Sequence, residues 1–125
     1  MAAQKRILLV DDDASIQKVY SKRLEVAGYE VVQAMDGEEA LAKARQGKPN
    51  LIILDIMMPK LNGYEVCAQL KQDPATKAIP IIMFTAKGQL QEHVVGLMFG
   101  ADAYISKVAR SDVLLESVKQ FLPSS

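Results

Sequence analysis

The sequence predicts an α/β fold with a doubly wound, five-stranded parallel sheet. Five short apolar runs, bounded by turn residues, predict the strands: RILLV (6–10), EVVQA (30–34), LIILD (51–55), IPIIMFT (79–85) and AYI (103–105). Stretches with the apolar spacing of helices separate these runs. The central runs are apolar throughout, which indicates strands buried on both faces and therefore helices on both sides of the sheet.

Local signals predict where the helices begin, end and face the sheet. An apolar stripe on the first helix is formed by Ile16, Val19, Tyr20 and Leu24. The last helix has the same kind of face, made of Leu114, Leu115, Val118, Phe121 and Leu122. The predicted caps and ends are Asp13, Asp36 with Glu39 as a capping box, Ser111, and the glycines Gly28 and Gly47.

Length and charge limit the organisation and the partners of the chain. With 125 residues, half of them hydrophobic, we expect one domain over residues 1–125 with an ordered core at about 5–122. Lys and Arg number 15, as do Asp and Glu. Without an excess of positive charge to attract a polyanion, we expect no nucleic acid binding by this domain itself.

The apolar segments and the cysteine content favour a cytoplasmic protein. No apolar stretch reaches the roughly 18 residues of a membrane span, and the start MAAQKR lacks a signal-peptide core. One cysteine, Cys67, cannot form an internal disulfide, and with a single histidine, His93, no Cys/His metal cage can form. We expect Cys67 to be a small core residue on a helix.

Three consecutive carboxylates, Asp11 to Asp13, follow the first predicted strand. Like charges this close repel, so folding must protonate one of them or supply a cation. Asp13 is explained as the cap of the first helix. Capping does not explain the other two, and we interpret Asp11 and Asp12 as cation ligands.

Further polar residues follow other strands and are expected at the same edge, because parallel strands end together. They are Asp55 after strand three, Thr85 after strand four and Lys107 after strand five. Each alone has an ordinary explanation as a turn or surface residue. Together they suit phosphoryl transfer, with Asp55 as nucleophile and Lys107 and Thr85 stabilising the transferred group. Mg²⁺ would be held by Asp12, Asp55 and the backbone carbonyl of Met57, with Asp11 holding a coordinated water.

Four motifs in this order resemble the receiver domains of bacterial two-component response regulators, of the chemotaxis-regulator type, over essentially the whole chain. They are ILLVDDD, LIILDIMMPKLNGYEV, IIMFTAKG and GADAYISK. The resemblance implies a flavodoxin-like sheet of order 2-1-3-4-5 with five helices. It also implies phosphorelay signal transduction, in which an aspartate takes a phosphoryl group from a phosphohistidine of a partner kinase with Mg²⁺.

The resemblance assigns a role to each matching residue. Asp55 corresponds to the phosphoacceptor, Asp11 and Asp12 to the acidic metal-binding pair, and Met57 to the residue that offers its carbonyl to the metal. Thr85 corresponds to the switch hydroxyl, Lys107 to the lysine that contacts the phosphoryl group, and Tyr104 to the aromatic that turns inward with the threonine. Pro59 and Gly63 match the loop after the acceptor, where Gly can adopt turn angles, and Ala86 matches the small residue after the threonine.

One residue departs from the family pattern. Val108 follows Lys107, where the family usually has proline joined by a cis bond. A cis bond before a residue other than proline costs about 2.5–4 kcal/mol, against roughly 0.5–1 kcal/mol before proline. We therefore expect a trans Lys107–Val108 bond, with Lys107 placed differently from the family's lysine.

The implied mechanism is a conformational switch rather than turnover of an external substrate. Phosphorylation of Asp55 draws Thr85 inward, Tyr104 follows, and a surface for a partner changes. We expect that surface to include the helix predicted from Leu90 to Phe99, where Gly96 allows either close packing or mobility. The implied partners are a sensor histidine kinase or phosphotransfer protein and a downstream protein target or output domain, with a monomer or a weak activation-dependent dimer.

Two other functions fit the sequence less well. A phosphatase with an aspartyl-phosphate intermediate, similar to the haloacid dehalogenase family, would have a second Asp two residues after the nucleophile as acid/base, where this chain has Met57. No GxxxxGK[ST] loop for a nucleotide is present either. A phosphorylation-independent interaction module is favoured only by Val108 and is opposed by the complete set of acidic, hydroxyl and lysine residues.

Overall fold

The computed structural model describes residues 4–86 and 100–122, which form a parallel α/β sheet. All strand pairs are parallel and the order is β2-β1-β3-β4-β5, as predicted. The strands are β1 (Arg6–Val10), β2 (Glu30–Ala34), β3 (Leu51–Leu54), β4 (Ile81–Thr85) and β5 (Ala103–Ser106). The helices within the described residues are α1 (Ala14–Val26), α2 (Gly37–Gly47), α3 (Gly63–Gln72) and α4 (Ser111–Phe121). The predicted helix from Leu90 to Phe99 lies outside the described residues.

Alternating strand side chains fill two separate cores, one on each face of the sheet. Leu8 and Val10 of β1 pack with residues of α2 and α3, whereas Ile7 and Leu9 of the same strand pack with α1 and α4. The central strand β3 is buried over its whole length. Its alternation between the two cores explains why a continuous apolar run, rather than an apolar-polar pattern, encodes this strand. No helix among the described residues is long and apolar enough to cross a membrane.

Cys67 lies in the first of these cores, on α3, and is fully buried. Burial raises the pKa of its thiol to about 11. The prediction of a core cysteine on a helix is confirmed, and the thiol is neutral at physiological pH.

The buried face of α1 differs from the predicted stripe. Val19 is 44% exposed, whereas the buried residues are Gln17, Ser21 and Leu24. The prediction that Val19 faces the sheet was therefore wrong. Gln17 takes an inward position, where it donates to the carbonyls of Leu9 and Ala34 at the ends of β1 and β2. The inward Ser21 hydroxyl accepts from Gln33.

The helix N-termini confirm two predicted caps and correct a third. Asp13 accepts from the backbone N–H groups of Ser15 and Ile16 at 2.8 and 3.4 Å. Asp36 accepts from the Glu39 N–H, although the Glu39 carboxylate accepts from the Met35 N–H and so does not complete a capping box. The predicted cap Ser111 is instead the first residue of α4. Arg110 is the N-cap, because its backbone has the extended angles of that position. Its side chain makes no capping hydrogen bond.

The C-termini of the first two helices differ in how they use glycine. Gly28 follows α1 with φ +104°, as predicted for a helix end. Gly47, in contrast, is the last helical residue of α2, and Lys48 adopts the left-handed conformation with φ 42°. The predicted terminal glycine is thus one residue early, and a lysine bears the backbone strain.

Candidate functional site

Three carboxylates meet at the carboxyl edge of the sheet, as the sequence predicts. Asp11 and Asp55 are buried, 1% and 3% exposed, and Asp12 is exposed. One oxygen from each of the three lies within 4.8 Å of the others. These residues lie close together although Asp55 is distant in sequence, because β1 and β3 are adjacent and end at the same level.

Backbone hydrogen bonds hold the two strand ends that bear the acids. The Asp11 N–H donates to the Ala34 carbonyl at 3.1 Å, and the Asp55 N–H donates to the Val10 carbonyl at 3.0 Å. The Asp13 N–H donates to Asp11 Oδ1 at 2.9 Å, closing the turn over the first carboxylate. The acidic residues therefore extend directly from the ladder of the sheet.

Lys107 directly follows β5, the edge strand opposite β2, and its side chain contacts the acidic cluster. Its Nζ lies 2.7 Å from Asp11 Oδ2 and 3.3 Å from Asp55 Oδ2. Its backbone N–H donates to the Thr85 carbonyl at 2.8 Å, which extends the pairing of β4 and β5 by one residue. The ammonium thus pairs with two buried carboxylates.

Val108 leaves this arrangement in place. The described residues contain no cis peptide bond, so the Lys107–Val108 bond is trans, as expected. The Val108 side chain points to solvent and is 86% exposed. In this trans arrangement the Lys107 N–H donates to the Thr85 carbonyl and the ammonium contacts Asp11 and Asp55. A placement different from that of the family's lysine stays a prediction.

The charges of the site leave it deficient in positive charge. Burial raises the pKa of the Asp11 carboxyl, even though the hydrogen bond from Lys107 and that from the Asp13 N–H both favour its ionised form. Burial opposes the charged form of Lys107, but Asp11 and Asp55 outweigh it and raise the lysine pKa. The Lys107 ammonium therefore pairs with two of the three neighbouring carboxylates, and the negative charge of the cluster is offset only in part.

The donor set fits a hard divalent cation. Carboxylate oxygens are the ligands that Mg²⁺ prefers, and an exposed side leaves room for the waters it retains. Asp12 provides that exposed side. Met57 lies two residues after Asp55, and its N–H donates to Asp55 Oδ1 at 3.4 Å. The Met57 backbone is therefore part of the loop that carries Asp55.

Thr85 and Tyr104 lie on the neighbouring strands β4 and β5. Thr85 is fully buried at the end of β4 and is in register with Ser106 of β5. Tyr104 is half-buried, pairs with Met83, and packs against the core that α2 and α3 cover. The two residues predicted to act together are therefore on adjoining strands, one at the site and one against the core.

Gly63 has a structural role different from the one predicted. The glycines with positive φ among the described residues are Gly28 and Gly100, so a turn angle does not explain Gly63. A Cβ on Gly63 would instead lie 2.2 Å from the Asp55 carbonyl oxygen and 2.8 Å from Ile56 Cα. Glycine is required here because the start of α3 packs directly on the backbone after β3.

Two features of the site were missed from the sequence. Asn62 and Glu65 form a complete capping box at the start of α3, and the spacing in NGYE is the signal that indicates it. Gln17 binds the carbonyl of Asp11, and its only sequence signal is its spacing with Ser21 and Leu24 along one helix face.

Comparison with known proteins identifies the family. The family model described as the response regulator receiver domain matches residues 7–119. This chain belongs to that family. The resemblance predicted from the four motifs is confirmed, and so is the predicted class of regulatory protein, as distinct from a classical enzyme.

The receiver domain has relatives among transcriptional regulators. It is 44% identical over 117 residues to the DNA-binding dual master transcriptional regulator RpaA of Synechocystis sp., covering 94% of this chain and 48% of RpaA. It is 52% identical over 103 residues to PhoP, the alkaline phosphatase synthesis transcriptional regulatory protein of Bacillus subtilis, covering 82% of this chain and 42% of PhoP. The chain thus spans less than half the length of these two regulators.

Solved structures of this family have the same fold. The chemotaxis protein CheY4 of Vibrio cholerae superposes with a TM-score of 0.89 and 35% sequence identity, covering 96% of this receiver domain and all of the CheY4 chain. The predicted doubly wound sheet of the chemotaxis-regulator type is therefore confirmed.

Proposed function

We propose that this receiver domain accepts a phosphoryl group on Asp55 and thereby switches a protein-interaction surface. The observation that supports this most directly is the position of the Asp55 carboxylate. It is buried at the carboxyl edge of the sheet, close to two further carboxylates, and its Oδ2 lies 3.3 Å from the Lys107 ammonium. A purely structural site would have little reason to gather three acids around one lysine.

In the proposed reaction an oxygen of the Asp55 carboxylate attacks the phosphorus of a phosphohistidine. The P–N bond breaks, its electron pair stays on the imidazole nitrogen, and the new P–O bond makes an acyl phosphate. Lys107, which already contacts Asp55, pairs with the negative charge of the transferred group. Asp12, Asp55 and the Met57 carbonyl would hold Mg²⁺, with Asp11 holding a water of the ion. When bound, the ion supplies positive charge that offsets the charge of the phosphoryl oxygens.

The switch proposed for this domain involves Thr85 and Tyr104. The Thr85 hydroxyl donates to the phosphoryl group, and Tyr104 on the next strand then moves further inward. Their adjoining strands support this coupling, since Met83 and Thr85 of β4 are in register with Tyr104 and Ser106 of β5. Phosphorylation shifts the balance between the two states only by binding them differently.

The proposed phosphoryl donor is a sensor histidine kinase or phosphotransfer protein. The proposed downstream partner is a protein target or output domain. The regulators RpaA and PhoP, of which this chain spans less than half, support an output domain in particular. We retain the cytoplasm as the expected compartment, where ATP supplies such kinases with phosphate. In this proposal the receiver domain turns over no external substrate.

Intact mass spectrometry after incubation with acetyl phosphate tests the acceptor. We expect a gain of one phosphoryl group that requires Mg²⁺ and is absent in Asp55→Asn. Asp13→Asn is the matched control, because it makes the same chemical change near the site but keeps an equally good helix cap. Loss of the gain in Asp55→Asn alone supports Asp55 as acceptor.

The opposite outcomes are equally clear. A gain that persists in Asp55→Asn would place the acceptor elsewhere. No gain in the folded wild-type protein, with Mg²⁺ bound, would favour the phosphorylation-independent interaction module instead.

A further inference from the structure

Gln17 makes an unusual set of contacts beneath the acidic cluster. Its Nε2 lies 3.0 Å from the Leu9 carbonyl oxygen, 3.1 Å from that of Asp11 and 2.9 Å from that of Ala34. An amide nitrogen has two hydrogens, so the three acceptors share them. One side chain of α1 therefore joins the carboxyl ends of β1 and β2.

The geometry of Gln17 is that of a donor alone. The side chain is 2% exposed, and its Oε1 has no hydrogen-bond partner among the described residues. A buried amide oxygen without a partner costs stability. A leucine would fill the same space without that cost. The hydrogen bonds made by Nε2 are therefore the feature that needs an explanation.

Those contacts converge on the backbone that presents the acidic pair. The Ala34 carbonyl accepts from both Gln17 and the Asp11 N–H. The Asp11 carbonyl, which accepts from Gln17, belongs to the peptide unit that leads into Asp12. The direction in which the Asp12 carboxylate leaves the sheet therefore depends on the position of that peptide unit.

We propose that Gln17 is a positioning residue for the cation site, one that holds the Asp11–Asp12 peptide so that both carboxylates face Asp55. This inference rests on the proposed function, because it assumes that these acids hold a divalent cation. Partners that orient metal ligands typically contribute 10–100-fold to metal affinity. Gln17 belongs to that class because it binds the backbone that carries the acids.

Ser21 offers a matched comparison on the same helix. It lies one turn after Gln17 and is likewise buried and polar. Its hydroxyl accepts from Gln33 Nε2 of β2 at 2.7 Å. The hydrogen bond of Ser21 stabilises the packing of α1 on β2 but does not involve the loop of the acids. A general loss of stability should therefore affect Gln17 and Ser21 variants alike, whereas a positioning effect should be confined to Gln17.

The test is Mn²⁺ binding, measured by the electron paramagnetic resonance signal of the free ion, with Gln17→Met, Ser21→Ala and wild type. Methionine has nearly the length of glutamine, so this substitution removes only the hydrogen-bonding groups. We expect Gln17→Met to weaken Mn²⁺ binding about tenfold or more and Ser21→Ala to change it less than twofold. In acetyl phosphate reactions, the Mg²⁺ concentration for half-maximal rate should rise about tenfold in Gln17→Met, with the maximal rate within twofold of wild type.

Other results would overturn the inference. Equal Mn²⁺ affinity in Gln17→Met and wild type, or equal losses in Gln17→Met and Ser21→Ala, would make Gln17 purely structural. If wild type binds no Mn²⁺, the metal site of the proposed function fails together with this inference. Should Gln17→Met not fold, the wild-type side-chain amide signal of Gln17 in an NMR titration decides. It should shift with Mg²⁺ at the same concentration as the Asp12 backbone signal, and an unshifted signal would refute the proposal.

Discussion

At the scale of single residues, the packing of Gly63 against the Asp55 backbone links the stability of the domain to the position of the proposed acceptor. The residue's missing side chain lets α3 begin within contact of the Asp55 carbonyl. The carboxylate of Asp55 projects from the same backbone that Gly63 touches. A change that moves this backbone must therefore move the Asp55 carboxylate, the proposed acceptor, relative to Lys107 and the acidic pair.

We predict that Gly63→Ala destabilises the domain and slows phosphorylation. The added methyl group would lie 2.2 Å from the Asp55 carbonyl oxygen, so backbone has to shift. Such overpacking costs about 1–3 kcal/mol in free energy of unfolding, and a displaced reacting group slows the reaction about tenfold or more. Urea unfolding and the rate of acetyl phosphate labelling measure the two effects.

Gly47→Ala is the control for this prediction. A Cβ on Gly47 has as its nearest neighbour an Arg6 side-chain nitrogen at 3.7 Å, which is ordinary contact. We expect unchanged labelling and unchanged or slightly higher stability, since alanine favours the helix. Wild-type labelling by Gly63→Ala would show that the close contact does not influence the acceptor.

At the scale of elements, the helix ends distribute strain unevenly. Gly28 after α1 and Lys48 after α2 both adopt positive φ, at +104° and 42°. Glycine takes this conformation without steric cost, whereas a lysine Cβ is crowded by its own backbone. The end of α2 is thus under strain that the end of α1 avoids.

We predict opposite effects of exchanging residue types at these two helix ends. Lys48→Gly should raise the free energy of unfolding by about 1 kcal/mol, and Gly28→Ala should lower it by about 1–2 kcal/mol. Apart from its chain neighbours, no atom lies within 4 Å of a Cβ built on Gly28, so a loss of stability in Gly28→Ala would report backbone strain alone. Urea unfolding of both variants against wild type gives the two signs, and a stabilised Gly28→Ala would contradict the explanation.

At the scale of the whole molecule, repulsion among the three carboxylates opposes folding, and a bound cation would offset it. Three carboxylates lie close together, one ammonium pairs with two of them, and burial raises the pKa of Asp11. Repulsion among the strand ends is the consequence of closing the sheet. A cation that binds only the folded arrangement therefore adds its binding free energy to the stability of the domain.

We predict that Mg²⁺ stabilises the whole domain. At a concentration one hundred times its dissociation constant, the free energy of unfolding should rise by about 2.7 kcal/mol relative to protein in EDTA. Urea unfolding with and without Mg²⁺ measures the difference. Asp12→Asn should abolish most of it, while Asp13→Asn should keep it because Asp13 serves as a helix cap. Identical unfolding midpoints with Mg²⁺ and EDTA would argue against a cation site.

The strands and the order of the site residues were predictable because their signals are local. Apolar runs indicate buried strands wherever they occur, and parallel strands necessarily end at a common edge. The sequence therefore predicts that Asp11, Asp55 and Lys107 lie together. In the structure the Lys107 ammonium lies 2.7 Å from Asp11 Oδ2 and 3.3 Å from Asp55 Oδ2. The cap at Asp13 was also local, since it involves only its own helix.

The sequence by itself determined the class of fold, the strand positions and the acidic cluster. Only the tertiary structure decided the role of Gln17, the close contact at Gly63, and the placement of Lys107 despite Val108. Each of these depends on groups that are distant in sequence: carbonyls of two strands, the backbone after β3, and the Thr85 carbonyl. Apolar periodicity records how much of a side chain is buried, but it does not record which backbone atoms of another element that side chain meets.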